Sequence, residues 1–161
     1  MSKAKDDNLS PRINNRKAFH DYNITEKLEV GIVLVGSEVK SIRLGQVNLS
    51  DGFARVEANG ELKLYNVEIQ PYAKSAGTLG AGHIAKNPRR LLAHKRQIKK
   101  LEIATSAKGA TLIPLAMYFV RGFVKVELGV AFGKQAHDKR QSIKDRDAKR
   151  EMSRIMSKRD R

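Results

Sequence analysis

Residues 111–132 read TLIPLAMYFVRGFVKVELGVAF, two apolar-rich runs on either side of Arg121-Gly122. In the second run Val124, Val126, Leu128 and Val130 fall at every other position, so an extended chain puts all four on one side. Two such runs joined by two residues predict a β-hairpin over Thr111–Val120 and Phe123–Phe132. A second hairpin is expected upstream, where Phe53–Ala58 and Glu61–Val67 flank Asn59-Gly60, a dipeptide that accepts the positive φ of a tight primed turn. Leu28, Val30, Ile32 and Leu34 also alternate, so Ala18–Leu34 reads as one long first strand, bent near Gly31.

Helices are expected to be few. Ser37 is placed to N-cap a short one, with Glu38 in its first turn, Val39 and Ile42 on one side and Gly45 at its C-terminal end. Pro88 is expected to open a basic amphipathic helix to about Ala104. Leu91, Leu92, Ile98, Leu101 and Ile103 would face inward there, and Arg89, Arg90, Lys95, Arg96, Lys99 and Lys100 outward. Pro71–Asn87, rich in Gly and Ala without periodicity, reads as a mobile loop. Five or six strands joined mostly by tight turns argue against the βαβ alternation of a doubly wound sheet. The expected fold is mainly β: a small antiparallel barrel of the oligonucleotide-binding type over residues 15–132, with short flanking helices.

The ends have a different composition. Residues 1–14 are mostly small, polar or charged and are expected to be flexible. Residues 133–161 carry eleven Lys and Arg against five Asp and Glu, with no aromatic residue, Val or Leu. Such a segment cannot bury enough apolar surface to offset the entropy of ordering on a body, so this basic tail is expected to be loose in water. Ala148, Met152, Ile155 and Met156 nevertheless share one narrow helical face, which fits a segment that becomes helical when it meets a surface.

The whole chain of 161 residues has a formal charge of +15, which points to a polyanionic partner. With no Cys there is no disulfide framework, thiol nucleophile or thiolate metal site, and a reducing compartment is expected. No apolar run approaches the roughly 18 residues of a membrane span, so a soluble, cytoplasmic, monomeric protein is expected. His20, His83, His94 and His137 are scattered without ligand spacing, so no metal is expected. Gly129–Lys134 lacks the spacer count and following Ser or Thr of a phosphate loop, and Gly77, Gly80 and Gly82 follow no expected strand. His137-Asp138 next to Lys139-Arg140 resembles nuclease chemistry, but catalysis needs rigidly held groups and this tetrapeptide opens the loose tail. A non-catalytic RNA-binding barrel is the better reading. Tyr22, Tyr65, Tyr72 and Phe19 could stack bases, although core packing competes for each ring.

Six blocks taken in order add a specific resemblance. They are Asn15-Arg16-Lys17-Ala18-x-His20-Asp21-Tyr22; Glu29-x-Gly31-Ile32-x-Leu34-x-Gly36 running on to Arg43; Asn48-Leu49-x-Asp51; Arg90-Leu91-Leu92-x-His94-Lys95; Leu112-x-Pro114-Leu115; and Gly133-Lys134-x-x-His137-Asp138-Lys139-Arg140. Together they resemble the SsrA-binding protein (small protein B) family. The resemblance implies an oligonucleotide-binding barrel that binds the tRNA-like domain of transfer-messenger RNA and enters stalled ribosomes in trans-translation, with elongation factor Tu in the delivery complex. It implies RNA contact at Asn15, Glu29 and Leu92. Arg16, Lys17, Tyr22, Arg43, Arg90 and Lys125 complete the expected RNA-binding set. For the tail it implies action in the decoding centre by Gly133, Lys134, His137, Asp138, Lys139, Arg140, Ile155 and Met156. Gln135 stands where the family has a second Lys, so that position is not carried over. The competing function is a ribosomal protein or general RNA chaperone.

Overall fold

The computed structural model describes residues 10–72 and 83–159. Its strands are β1 (Ile13–Asn14), β2 (Tyr22–Ile32), β3 (Val47–Asn48), β4 (Phe53–Val56), β5 (Leu62–Tyr65), β6 (Glu68–Ile69), β7 (Arg89–Leu92), β8 (Ala110–Val120) and β9 (Phe123–Gly133). Its helices are α1 (Arg16–Asp21), α2 (Gly36–Arg43), α3 (Lys95–Ser106) and α4 (Ala136–Arg159).

The expected barrel is present. Strands run β8-β4-β5-β7-β2-β9 and β9 pairs back onto β8, closing a ring in which every pairing is antiparallel. β1 adds to β8 outside the ring, and β3 pairs with β6 in a separate two-stranded sheet. Closure removes exposed sheet edges, the usual solution for a small all-β core. Both predicted hairpins are present: Arg121 and Gly122 have φ 50° and 82°, the paired positive values of a primed turn, whereas at Asn59-Gly60 the positive φ is that of Gly60 alone, 78°. There the strands stop at Val56 and resume at Leu62, a longer loop than the two-residue turn expected.

Period-2 alternation fills the interior. Val124, Val126, Leu128 and Val130 of β9 are buried against Val30, Leu62, Leu64, Leu91, Leu112 and Met117, with Leu101 of α3 and Ile42 of α2 joining the same cluster. A smaller cluster forms on the outer side, where Ala18 of α1 packs on Ile113, Leu115 and Ala131 with Tyr22 and Ile24 against them. Gly129 makes that possible. A Cβ there would lie 2.8 Å from Leu115 Cδ1 and 2.9 Å from Ile24 Cγ2.

Four expectations are corrected. Residues Arg16–Asp21 form α1, and the first strand begins only at Tyr22; its irregularity lies between Ile24 and Glu26, not at Gly31. Helix α2 starts after Val35, so Ser37 is not its N-cap, and the Glu38 carboxylate reaches back to the Val35 N–H at 3.0 Å. The helix expected from Pro88 does not begin there. Arg89–Leu92 is strand β7, and the helix starts at Lys95 behind His94, whose N–H donates to Gln97 Oε1 at 3.0 Å. Arg89 and Leu91 point inward, Arg90 and Leu92 point outward, and Ile103 is exposed on α3. The mobile-loop expectation for Pro71–Asn87 falls, at residues 73–82, outside the described residues; so does that of flexibility for residues 1–9, while Ile13 and Asn14 pair with Met117 and Ala116.

Arg89 explains why β7 was misread. Its guanidinium is buried, with Nε donating to Glu38 Oε1 at 2.7 Å and the Nη groups donating to the carbonyls of Val67, Asn87 and Ala85 at 2.8–2.9 Å. A buried Arg at an inward position looks outward to any hydrophobic periodicity. The pair ties α2 to β7 in a buried setting, where desolvation makes a lone charge costly. Glu38→Ala is therefore expected to lower stability by about 3–5 kcal/mol in urea unfolding. The double variant Glu38→Ala/Arg89→Met should lose less than the two single changes added together.

Candidate nucleic-acid interface

The register of β7, β2, β9 and β8 builds one outer face. Leu92 lies opposite Gly31, Gly31 opposite Lys125, and Lys125 opposite Tyr118. The neighbouring row runs from Glu29 to Glu127, Ala116 and Asn14. Three expected RNA-binding residues, Glu29, Leu92 and Lys125, are thus brought together although they come from separate parts of the chain. Leu92 is 50% exposed, unusual for a Leu beside charged groups. A Cβ on Gly31 would sit 3.3 Å from Leu92 Cβ, so the glycine leaves a shallow floor between Leu92 and Lys125.

Glu29 and Glu127 are directly opposite, a like-charge pairing that is unfavourable without cations. Arg12 Nη2 and Lys27 Nζ hold Glu127 at 2.6 and 3.3 Å. Tyr118 O–H donates to Glu29 Oε2 at 2.6 Å, and Lys125 Nζ stands 3.9 Å from Oε1. Burial, then the bond to Glu29, push the Tyr118 hydroxyl up to about 12, so it stays a donor. Arg12 also lies over the Tyr118 ring, 4.4 Å from its centroid. Glu29 is therefore held in one orientation while remaining about half exposed, at 46% of its side chain. A carboxylate so held can accept hydrogen bonds from base amino groups. Arg12, Tyr118 and Glu127 were not singled out in the sequence; only the cross-strand register connects them.

The other expected residues lie elsewhere. Arg90 is outward on β7, 3.4 Å from Glu61. Arg43 of α2 stacks over Phe119 at 5.5 Å. Exposed Arg16 and Lys17 lie on α1, and Lys17 Nζ meets Asp51 at 3.0 Å. Tyr22 packs into the small outer cluster, the core role that competed with stacking. Asn15 is only 2% exposed. Its Nδ2 donates to the carbonyls of Leu49 and Pro114 at 3.0 and 2.9 Å, and its Oδ1 accepts from the Ala18 N–H at 3.1 Å. Every polar atom of that side chain already has a protein partner.

The tail leaves from the same region as α1. Gly133 ends β9 opposite Tyr22; the Lys134 N–H donates to the Asp21 carbonyl at 2.8 Å, and Lys134 Nζ donates to the Phe19 carbonyl at 3.1 Å. Lys139 Nζ stands 3.4 Å from Asp21 Oδ1, which His20 Nδ1 also approaches at 2.8 Å. The contact from His20, with Lys139 beside it, holds the Asp21 carboxyl below its usual range. Over residues 136–157 only Lys139 and Ser142 are partly buried, and His137, Asp138 and Arg140 are exposed. Met152, Ile155 and Met156 are 57–64% exposed. At about 100° per residue, Met152, Ile155 and Met156 lie roughly 140°, 160° and 100° around the helix from Lys139, the side clasped to the body. The body does not use that stripe.

A family model described as SmpB protein matches residues 12–158. The chain belongs to the SmpB family. An SsrA-binding protein of Carboxydothermus hydrogenoformans is 54% identical over 142 residues, covering 88% of this chain and 93% of that protein. Another, from Staphylococcus carnosus, is 47% identical over 159 residues and covers 99% of each. Among solved structures, a chain from "tmRNA-SmpB: a journey to the center of the bacterial ribosome" is 45% identical, with a TM-score of 0.66 over 79% of this chain and 87% of that one. The blocks read from the sequence thus identified the right family. Among the described residues no helix is long and apolar enough to cross a membrane.

Asn15→Ala would strand two buried carbonyls and the start of α1. It is expected to cost about 2–3 kcal/mol in urea unfolding of the protein without RNA, which a residue acting only by RNA contact would not.

Proposed function

We propose that this chain binds the tRNA-like domain of transfer-messenger RNA and carries it to stalled ribosomes for trans-translation, as a binding factor and not as a catalyst. The observation that carries this reading is the family match along residues 12–158, joined to a likeness, at 45% identity, to a chain solved with transfer-messenger RNA in the ribosome. The physical division of labour is between residues 15–132, a closed barrel that grips the RNA, and residues 133–161, an extension that reaches beyond it.

On the barrel, Glu29, Leu92 and Lys125 form the centre of the grip, with Arg90, Arg43, Arg16 and Lys17 supplying positive charge around it. Asn15 acts through position: by closing the start of α1 it sets Arg16 and Lys17 on the surface. Tyr22 acts in the same indirect way, as the packing base under α1. A tRNA-like RNA without an anticodon arm leaves the decoding site empty, and the tail of the bound protein occupies it. Gly133 and Lys134 set the exit of the tail, while His137, Asp138, Lys139 and Arg140 meet the decoding centre. The stripe containing Ile155 and Met156 lies against the message channel when no message fills it. Elongation factor Tu completes the delivery complex, and the cytoplasm is where this chemistry takes place.

Filter binding at moderate salt tests the central claim. Transfer-messenger RNA is expected to be retained well above an unrelated folded RNA of equal length. Equal retention would favour the general RNA chaperone instead. Removing residues 133–161 should leave RNA affinity within about 3-fold, because the phosphate contacts assigned to the barrel remain, yet abolish peptide tagging on stalled ribosomes. A peptide of residues 133–161 is expected to show weak helicity by circular dichroism in water, since it has no packing partner.

A further inference from the structure

The outer face described above does not end at Lys125. Two pairs further toward the β8–β9 turn, Phe123 lies opposite Val120. Alternation on β9 puts Phe123, Lys125 and Glu127 on the outside while Val124 and Val126 are buried. Phe123 is 72% exposed, against 8% for Phe119. Leaving a phenyl ring in water forgoes most of the free energy that burial of an aromatic normally contributes. The ring contributes little to the core that its strand builds.

The backbone that carries the ring is also held in place. Arg121 and Gly122 take the positive φ values of a primed turn, and β8 and β9 stay paired to the turn itself, through Val120 and Phe123. A ring at the end of a paired hairpin loses less entropy on contact than one on a loose loop. Its face continues through Lys125 and Tyr118 to the bare floor at Gly31 and the exposed Leu92. An aromatic face beside a cation, on a surface already assigned to RNA, matches what an unpaired base requires: a π surface for stacking and a positive group for its phosphate.

We propose that Phe123 is a base-stacking residue, and that an unpaired nucleobase of the bound RNA lies on its ring while the adjoining phosphate is met by Lys125. This rests on the RNA-binding reading above and adds to it a contact made through the hairpin tip. Stacking is largely independent of base identity, so the contact strengthens binding to an exposed loop more than it selects a sequence.

The chain contains no Trp, so Phe123→Trp introduces a single indole fluorophore. The full-length variant is expected to bind a transcript of the tRNA-like domain within about 2-fold of the unaltered chain, with its emission strongly quenched at saturation by the stacked base. Phe123→Ala is expected to weaken binding by roughly 5- to 100-fold with an unchanged dependence of affinity on salt. Lys125→Ala should instead flatten the salt dependence by about one phosphate contact. Circular dichroism of each variant shows whether the fold is kept, and because Phe123 lies outside the core, unfolding of Phe123→Ala would itself overturn the assignment. Unaltered affinity of Phe123→Ala, or unquenched Phe123→Trp at saturating RNA, would overturn the stacking contact and leave RNA binding standing. Failure of the unaltered chain to bind the transcript would overturn both.

Discussion

Strand β9 is hydrogen-bonded along nearly its whole length on both edges, to β2 on one side and β8 on the other. That double pairing is the constraint on which the rest depends. Because side chains alternate, one choice of register puts Val124, Val126, Leu128 and Val130 inside and Phe123, Lys125 and Glu127 outside. A slip of one residue would exchange the two sets, burying a lysine and a glutamate. The core and the outer face that carries the candidate site are therefore specified by the same registration. The barrel cannot keep one while losing the other.

Buried polar groups fix the parts that apolar packing leaves free. The hydrophobic interior tolerates many arrangements of similar volume, but the Glu38–Arg89 pair and the three hydrogen bonds of Asn15 have narrow geometric demands. The first locks α2 against β7, next to outward Arg90 and Leu92. The second locks the start of α1 onto β8, next to Arg16 and Lys17. In both places a buried group at the start of a short element sets the direction of the exposed groups that follow it. Asn15 belongs to this class of residue: it is buried and places the neighbouring surface residues without being on the surface itself.

Much of this was legible in the chain. The two hairpins announced themselves through alternation and through Asn59-Gly60 and Arg121-Gly122, because local turn chemistry and local periodicity act within a few residues. The errors came where a distant partner decides. Arg89 reads as a solvent-facing helical residue until Glu38, 51 positions away, is placed beside it. Four residues of α1, Ala18–Asp21, look extended because Phe19 and Tyr22 favour strands; what turns them into a helix is the Asn15 cap, itself anchored to Leu49 and Pro114. The candidate site showed the same division. Glu29 and Leu92 came from recognisable motifs, whereas the contacts of Glu29 with Tyr118, and of Glu127 with Arg12, exist only through register. Phe123 looked like one more apolar strand residue until its exposure was known.

The tail follows a different physics from the barrel. As a straight helix, Ala136–Arg159 would extend about 36 Å, yet its described contacts with the body are made only near its root, at Asp21. Its internal side-chain contacts are few and exposed: Gln141 with Asp145, and Arg150 with Asp147 at 4.0 Å, each worth a few tenths of a kcal/mol. Such sums are smaller than the entropy lost in ordering more than twenty residues, which supports the proposal that a surface outside the chain completes this helix. The excess of Lys and Arg over acids fits a polyanionic surface, and the apolar stripe lies on a side of the helix that the body leaves open. On the proposed reading, barrel and tail address two targets without competing. Among the described residues, barrel and tail are joined by the clasp of Lys134 and Lys139 on α1, the helix that also carries Arg16 and Lys17. Arg16 and Lys17 at one end of that short helix and the exit of the tail at its other end are mechanically joined across six residues.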